Sequence, residues 1–283
     1  MKFKGKAFID KISIPEYNEL PCLRSTDLKN FLHSPAKYKW EQMHRDEEGD
    51  NKAFIIGNYV HAALLEPETL ARDFVVLDMK TRHSKEFYST AANAKKTGKT
   101  VILSGEVAEI NYMVENVQGD PHVMELLNES YPEISTAAKI GDVWLKARLD
   151  AYIPERRIVM DIKTTGETIF WFSNNVKRWG YEVSAPLYMD VLNTAALELN
   201  DPNHGADTYL FLVIEKAAPY GVKLFEMTSE YMAVGRTKYM KALPLFKRCL
   251  ETNVWNGYDN RIPEKLYPSR GGEGDLTPNE KVN

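Results

Sequence analysis

The sequence predicts one α/β domain with a helical N-terminal part. Two observations predict it. Segments with helical spacing of apolar residues fill the first half, and cleanly alternating segments with β character begin only near residue 142. The 283 residues suit one large domain or two small ones, and no internal repeat divides them.

The elements follow in order. Residues 1–22 form an N-terminal segment without periodic pattern. Ser25 or Thr26 can cap a helix over Asp27–Leu32, and Pro35 restarts the chain into Ala36–Glu41. A polar connector with Gly49 runs over Arg45–Lys52. Ala53–Glu66 then reads as a helix, with Ile56, Val60, Ala63 and Leu64 on one face and Pro67 as its stop. Further helices are expected over Ser84–Lys96, closed by Gly98, over Ser104–Gln118, and after the Asp120-Pro121 cap pair.

From Asp142 to Ile153, Val143, Leu145, Ala147, Leu149, Ala151 and Ile153 form one strand face. Trp144, Lys146, Arg148, Asp150 and Tyr152 form the other. Pro154–Arg157 is a turn, and Ile158–Thr164 alternates again. A helix follows Gly166 as far as Lys177, and another ends near Leu199, with Ser184 as its expected N-cap so that Pro186 falls in the first turn. Asp207–Ile214 and Val222–Met227 read as strands, and Ser229–Leu250 as a long helix. The domain is thus expected over 23–258, with a polar, loosely ordered tail at 259–283.

Composition narrows the function. Hydrophobic residues at 43% and charged residues at 27% exclude a disordered chain. Two cysteines, Cys22 and Cys249, cannot supply a four-thiolate iron–sulfur cluster. No apolar run reaches membrane-spanning length, and Met1–Lys6 lacks the apolar stretch of a signal peptide, so a reduced, cytoplasmic protein is expected. The net charge of −4 argues against a protein that coats nucleic acid by general electrostatics. It is compatible with an enzyme that joins a local basic channel to an acidic metal site. Gly98-Lys99-Thr100 ends like a phosphate-binding loop, but Asn93 stands where that loop needs its first glycine.

The hairpin carries the chemistry. A turn symmetric about Glu155 and Arg156 sets Asp150 opposite Asp161, and Arg148 opposite Lys163. Directly opposed Cβ atoms lie about 4.5–5.5 Å apart. Two carboxylates that close need a cation between them or a retained proton. Oxygen ligands without thiolates favour Mg²⁺, with Mn²⁺ able to substitute. A hairpin with a charged, solvated face would give the same pattern, and His61 alone reads first as a core histidine beside Gly57.

Asp150 with Asp161-Ile162-Lys163 resembles the D…(D/E)-X-K core of the PD-(D/E)XK nuclease superfamily. Gly57–His61 with Leu65-Glu66-Pro67 resembles the histidine helix of its RecB-like branch, and Arg148-Leu149-Asp150 resembles that branch's Arg-Pro-Asp. Met160–Thr165, Thr97–Ile102 and Ser25–Tyr38 are similar to RecE-type exonucleases (the exonuclease VIII type). The resemblance covers about residues 23 to 255.

The resemblance implies a central mixed β-sheet flanked by helices. It implies that Asp150, Asp161, His61 and the Ile162 carbonyl bind metal, and that Lys163 orients or activates the attacking water. Glu133 matches a family acidic position on the first strand. The family's Gln-x-x-x-Tyr stands here as Ser184 and Tyr188, with Glu182 two residues earlier, and Arg148 is the expected phosphate contact. The implied reaction is 5′→3′ exonucleolytic hydrolysis of linear duplex DNA. It would leave 3′ single strands for recombination through a RecT-like annealing protein, and the enzyme would be a ring-shaped homo-oligomer, a tetramer. A structure-specific endonuclease, or a catalytically silent DNA-binding protein, are the rival readings. Lys80, Arg82, Lys85, Lys146, Arg148, Lys177 and Arg178 are candidates to line a DNA channel.

Overall fold

The computed structural model describes residues 3–44 and 51–258. Most of the expected connector at 45–52 and the tail at 259–283 lie outside the described residues.

In chain order the elements are β1 (Phe8–Asp10), α1 (Ile14–Glu19), α2 (Ser25–His33), α3 (Pro35–Met43), α4 (Lys52–Leu65), α5 (Leu70–Asp73) and β2 (Phe74–Leu77). Then come α6 (Lys85–Lys96), β3 (Thr100–Leu103), α7 (Ser104–Gln118), α8 (Pro121–Glu129), β4 (Tyr131–Ile140), β5 (Val143–Ile153) and β6 (Ile158–Thr165). The last are α9 (Phe172–Arg178), α10 (Tyr181–Glu198), β7 (Thr208–Glu215), β8 (Val222–Glu226) and α11 (Ser229–Thr252).

Six strands form the central sheet in the order β1-β4-β5-β6-β7-β8. Only β6 and β7 run parallel, joined by the α9–α10 crossover; the other neighbours are antiparallel. The sheet is therefore mixed and mostly antiparallel, with helices on both faces. One core joins Leu28, Phe31, Leu145, Leu149, Leu192, Phe211 and Tyr239 beneath α2, α10 and α11. The other joins Ile56, Val60, Ile110, Met113, Ile153, Met160 and Ile162 beneath α4, α7 and α8. A small parallel pair, β2 and β3, lies apart from the main sheet.

Several expectations need correction. The alternation across 142–153 implied one buried face, but both sides of β5 are covered. Leu145, Ala147 and Leu149 join the first core while Ala151 and Ile153 join the second, so the alternation does not persist through Asp150. Lys146 is 2% exposed, and its ammonium donates to the carbonyls of Tyr17 at 2.7 Å, Leu20 at 2.9 Å and Asn18 at 3.3 Å. It ties the N-terminal segment to the sheet and lines no surface channel.

Ser184 is no N-cap. Helix α10 begins at Tyr181 after Gly180, whose φ of +66° ends the preceding turn, and Pro186 lies inside the helix. The N-terminal segment holds β1 and α1, and α1 carries a capping box between Ser13 and Glu16. Strands β2 and β3 also arise where no strand was expected, and β4 forms where only the resemblance at Glu133 implied one.

Candidate active site

The site lies where β5 and β6 part. Their ladder runs through Ile153–Ile158, Tyr152–Val159 and Ala151–Met160, the register anticipated from the turn, and ends one pair short of Asp150 and Asp161. Asp150 fills the gap with its side chain, whose Oδ2 accepts the Ile162 N–H at 2.8 Å. Strand β4 meets β5 on the other side. Its pairing is in register at Pro132–Ala151 and Ile134–Leu149, but Glu133 between them has φ +59°, an uncommon backbone state for a residue with a Cβ. Such strain persists only where the surroundings impose it, and it gathers at functional sites.

Helix α4 brings His61 over the strands. Its Nε2 lies 2.9 Å from the Ile162 carbonyl oxygen and its Nδ1 3.6 Å from Asp150 Oδ2. Gly57, one turn earlier, faces Thr164, with 3.7 Å between a notional Cβ and the threonine hydroxyl. One donor atom each from His61, Glu133 and Asp150 lies within 4.8 Å of the others. Among the described residues this is a group able to hold a metal ion. Two carboxylates and an imidazole suit a hard or borderline divalent cation.

Asp161 is 6% exposed and is not one of those three donors. Its carboxylate forms a short ion pair with Lys163. The Lys163 ammonium also donates to the Ile162 carbonyl at 3.2 Å and sits 5.4 Å from the centre of the Tyr181 ring. Arg148 makes a short ion pair with Glu133 through Nε, while its buried Nη1 has no hydrogen-bond partner.

The electrostatics favour a bound cation. Burial, and next the charge of Asp161, push the Asp150 carboxyl well above the usual carboxylate range, so the metal-free site resists a second full charge. Burial, and next the Lys163 ammonium, lower the His61 pKa, which leaves a neutral imidazole with a free lone pair at neutral pH. Burial works against the Lys163 charge, but Asp161 and Asp150 outweigh it and raise the pKa. Lys163 therefore stays an ammonium at physiological pH.

The remaining anticipated residues fall around this centre. The Tyr188 hydroxyl accepts from Ser25 Oγ at 3.2 Å, tying α10 to α2. The Ser184 hydroxyl bonds back to the Gly180 carbonyl at 3.4 Å, within its own helix. The Glu182 carboxylate is buried and pairs with Lys238 at 3.0 Å. Of the suggested channel residues, Lys80, Lys85, Lys177 and Arg178 are exposed, whereas Arg82 is held by Glu106 through two hydrogen bonds of 3.1 and 2.6 Å.

Two neighbours escaped the sequence reading. Lys29 on α2 stands 5.9 Å from the Tyr181 ring centre, and burial followed by the Lys163 charge lowers its pKa. No local signal marks it. Tyr181 was discoverable, because it lies seven residues before Tyr188 and so shares its helix face.

Comparisons with known proteins agree with this architecture. A solved structure named "Putative exonuclease" from Eubacterium rectale superposes with a TM-score of 0.63 at 14% identity, covering 91% of this chain and 96% of the other. A second, SSO0001, covers 67% of this chain and 86% of its own at 13% identity, but its TM-score of 0.29 carries no argument. No curated protein matches. No described helix is long and apolar enough to cross a membrane. The model of a PDDEXK-like domain of unknown function, DUF3799, matches residues 25–262, and the chain belongs to that family.

Proposed function

We propose that this chain is a metal-dependent 5′→3′ exodeoxyribonuclease that degrades one strand of linear duplex DNA and leaves 3′ overhangs for an annealing partner. The observation that carries the reading is the meeting of the His61, Glu133 and Asp150 donor group with the Asp161–Lys163 pair at the split between β5 and β6. A divalent ion, Mg²⁺ or Mn²⁺, when bound there, would supply charge for the attacking and leaving oxygens of a phosphodiester.

The chain's own residues do the rest. Neutral His61 and the two carboxylates hold the cation, and the Ile162 carbonyl faces the same space. Lys163, charged and braced by Asp161, orients water or a phosphate oxygen rather than taking a proton. Arg148, ion-paired with Glu133 of the donor group, is the candidate phosphate contact. Tyr188 and Ser25 fix α10 against α2 behind the site.

The test is incubation of a 5′-phosphorylated linear duplex and a covalently closed circle with the protein and Mg²⁺. The expected result is mononucleotide release from the 5′ end of the linear DNA, an intact circle, and no reaction in chelator. Cleavage of the circle would instead favour an endonuclease, and inert DNA under every metal would favour a binding protein.

A further inference from the structure

Between the Lys163 strand and helix α10 lies a run of side chains that the proposed chemistry leaves unused. Phe170 is 81% exposed, Trp171 51% and Trp179 55%. They flank α9, Phe170 and Trp171 before it and Trp179 after it, and the ion pair of Glu167 with Arg178 joins the two ends. Phe170 and Trp171 contact edge to face with ring centres 5.2 Å apart, and the Arg178 guanidinium lies 5.2 Å from the Trp179 ring centre. The backbone beneath is anchored, since the Ile169 N–H donates to Glu215 at 2.6 Å.

Trp179 connects to the candidate active site through a short chain of contacts. The Lys163 ammonium faces one ring, Tyr181; Lys29 faces the same ring, and its Nζ donates to the Trp179 carbonyl at 3.3 Å. Cations lie in the same region. Lys177 and Arg178 are exposed on α9, and Lys216 stands beside Gly166 with its Cε 3.8 Å from a notional Cβ there. Of the acids here, Glu167 is bonded to Arg178 at 3.1 Å and Glu215 accepts from the Ile169 backbone.

Exposed rings with Lys177 and Arg178 beside them suit a flexible polyanion that carries flat apolar faces. We infer that Phe170, Trp171 and Trp179 form a stacking shelf that takes single-stranded DNA beside the cleavage centre, with Lys177 and Arg178 on its phosphates. A duplex hides its base faces, so the shelf discriminates for unpaired nucleotides. This deepens the nuclease reading and rests on it for the identity of the strand.

The test measures anisotropy of a short fluorescein-labelled oligodeoxynucleotide with the full chain in chelator, where no metal-dependent cleavage occurs. Phe170→Ala and Trp171→Ala should each weaken binding by roughly 5- to 100-fold, the range for one base–ring stack. Trp171→Phe should retain most of the affinity, and Leu245→Ala, an exposed residue on α11, should change nothing. A blunt duplex should lose less affinity than the single strand. Wild-type affinity in the Phe170→Ala/Trp171→Ala double variant would overturn the inference. So would sedimentation showing that this variant loses an oligomer while still binding the oligonucleotide, because the rings would then join copies of the chain. Hydrolysis of linear duplex is scored separately. Ring-dependent binding in a protein that cleaves no DNA would keep the shelf and remove the nuclease reading; normal hydrolysis with ring-independent binding would do the reverse.

Discussion

Asp150 and Lys163 are both charged residues in a buried setting, but their surroundings move them in opposite directions. Lys163 has Asp161 as a dedicated partner, whereas Asp150 has burial and a neighbouring negative charge against it. Replacing Lys163 with Ala should therefore cost roughly 10²-fold or more in turnover, as for other preorganised charges, while Mn²⁺ still raises the melting temperature. Asp150→Ala should abolish turnover together with the Mn²⁺ shift, and Glu133→Gln should weaken that shift. An undiminished Mn²⁺ shift in Asp150→Ala would remove it from the ligand set. In metal-free protein the raised Asp150 pKa also fixes a pH dependence. A carboxyl whose folded pKa exceeds its unfolded value contributes stability below the unfolded pKa, and that contribution is lost as pH rises through the folded pKa. Asp150→Asn should accordingly melt higher than wild type by a margin that widens as pH climbs from the ordinary carboxylate range. A margin independent of pH would show that the fold does not raise the Asp150 pKa.

At the scale of elements, α10 and α11 approach each other closely. Pro186 supplies no N–H to the Glu182 carbonyl one turn earlier, and Gly235 of α11 packs against that carbonyl. A Cβ on Gly235 would lie 1.5 Å from the Glu182 oxygen and 2.9 Å from Pro186 Cγ. Gly235→Ala should thus force the helices apart and cost about 3 kcal/mol in urea unfolding. Gly105→Ala, in α7 with nothing within 4 Å, should stabilise by about 0.5 kcal/mol. Equal effects at the two glycines would contradict this packing. Neither glycine's role is visible in sequence, because the approach of one helix to another is a tertiary fact. The hairpin was legible because its periodicity is local, and so its register could be drawn from the turn alone. Strand β4 was not, since Pro132 and the left-handed Glu133 interrupt its pattern. For the same reason the convergence of Glu133 with His61 and Asp150 could not be read from spacing. The N-terminal capping box of Ser13 and Glu16 was in plain view, but six residues of helix leave too little periodicity to notice.

For the whole molecule, charge decides how DNA could be retained. The chain carries a formal charge of −4, so its general field does not draw in a polyanion. Among the described residues, the cations at and beside the site include Lys29, Arg148, Lys163, Lys177, Arg178 and Lys216. Contacts of this kind weaken steeply with salt, by about 0.9 in log affinity per log unit of salt for each phosphate neutralised on duplex DNA. A single chain held only by them would fall off between turnovers as salt rises from about 50 to 200 mM, a range over which several phosphate contacts lose orders of magnitude in affinity. A ring around the duplex would not, because its retention is topological rather than electrostatic. The proposed ring-shaped tetramer therefore predicts processive digestion that persists at the higher salt. Reactions started on labelled linear duplex and then challenged with excess unlabelled duplex measure this. The expected outcome is continued release of label after the challenge at both salt concentrations, with sedimentation at four times the mass of one chain. Release that stops on challenge at the higher salt, from a species sedimenting as a single chain, would show a distributive enzyme held by its few cations alone.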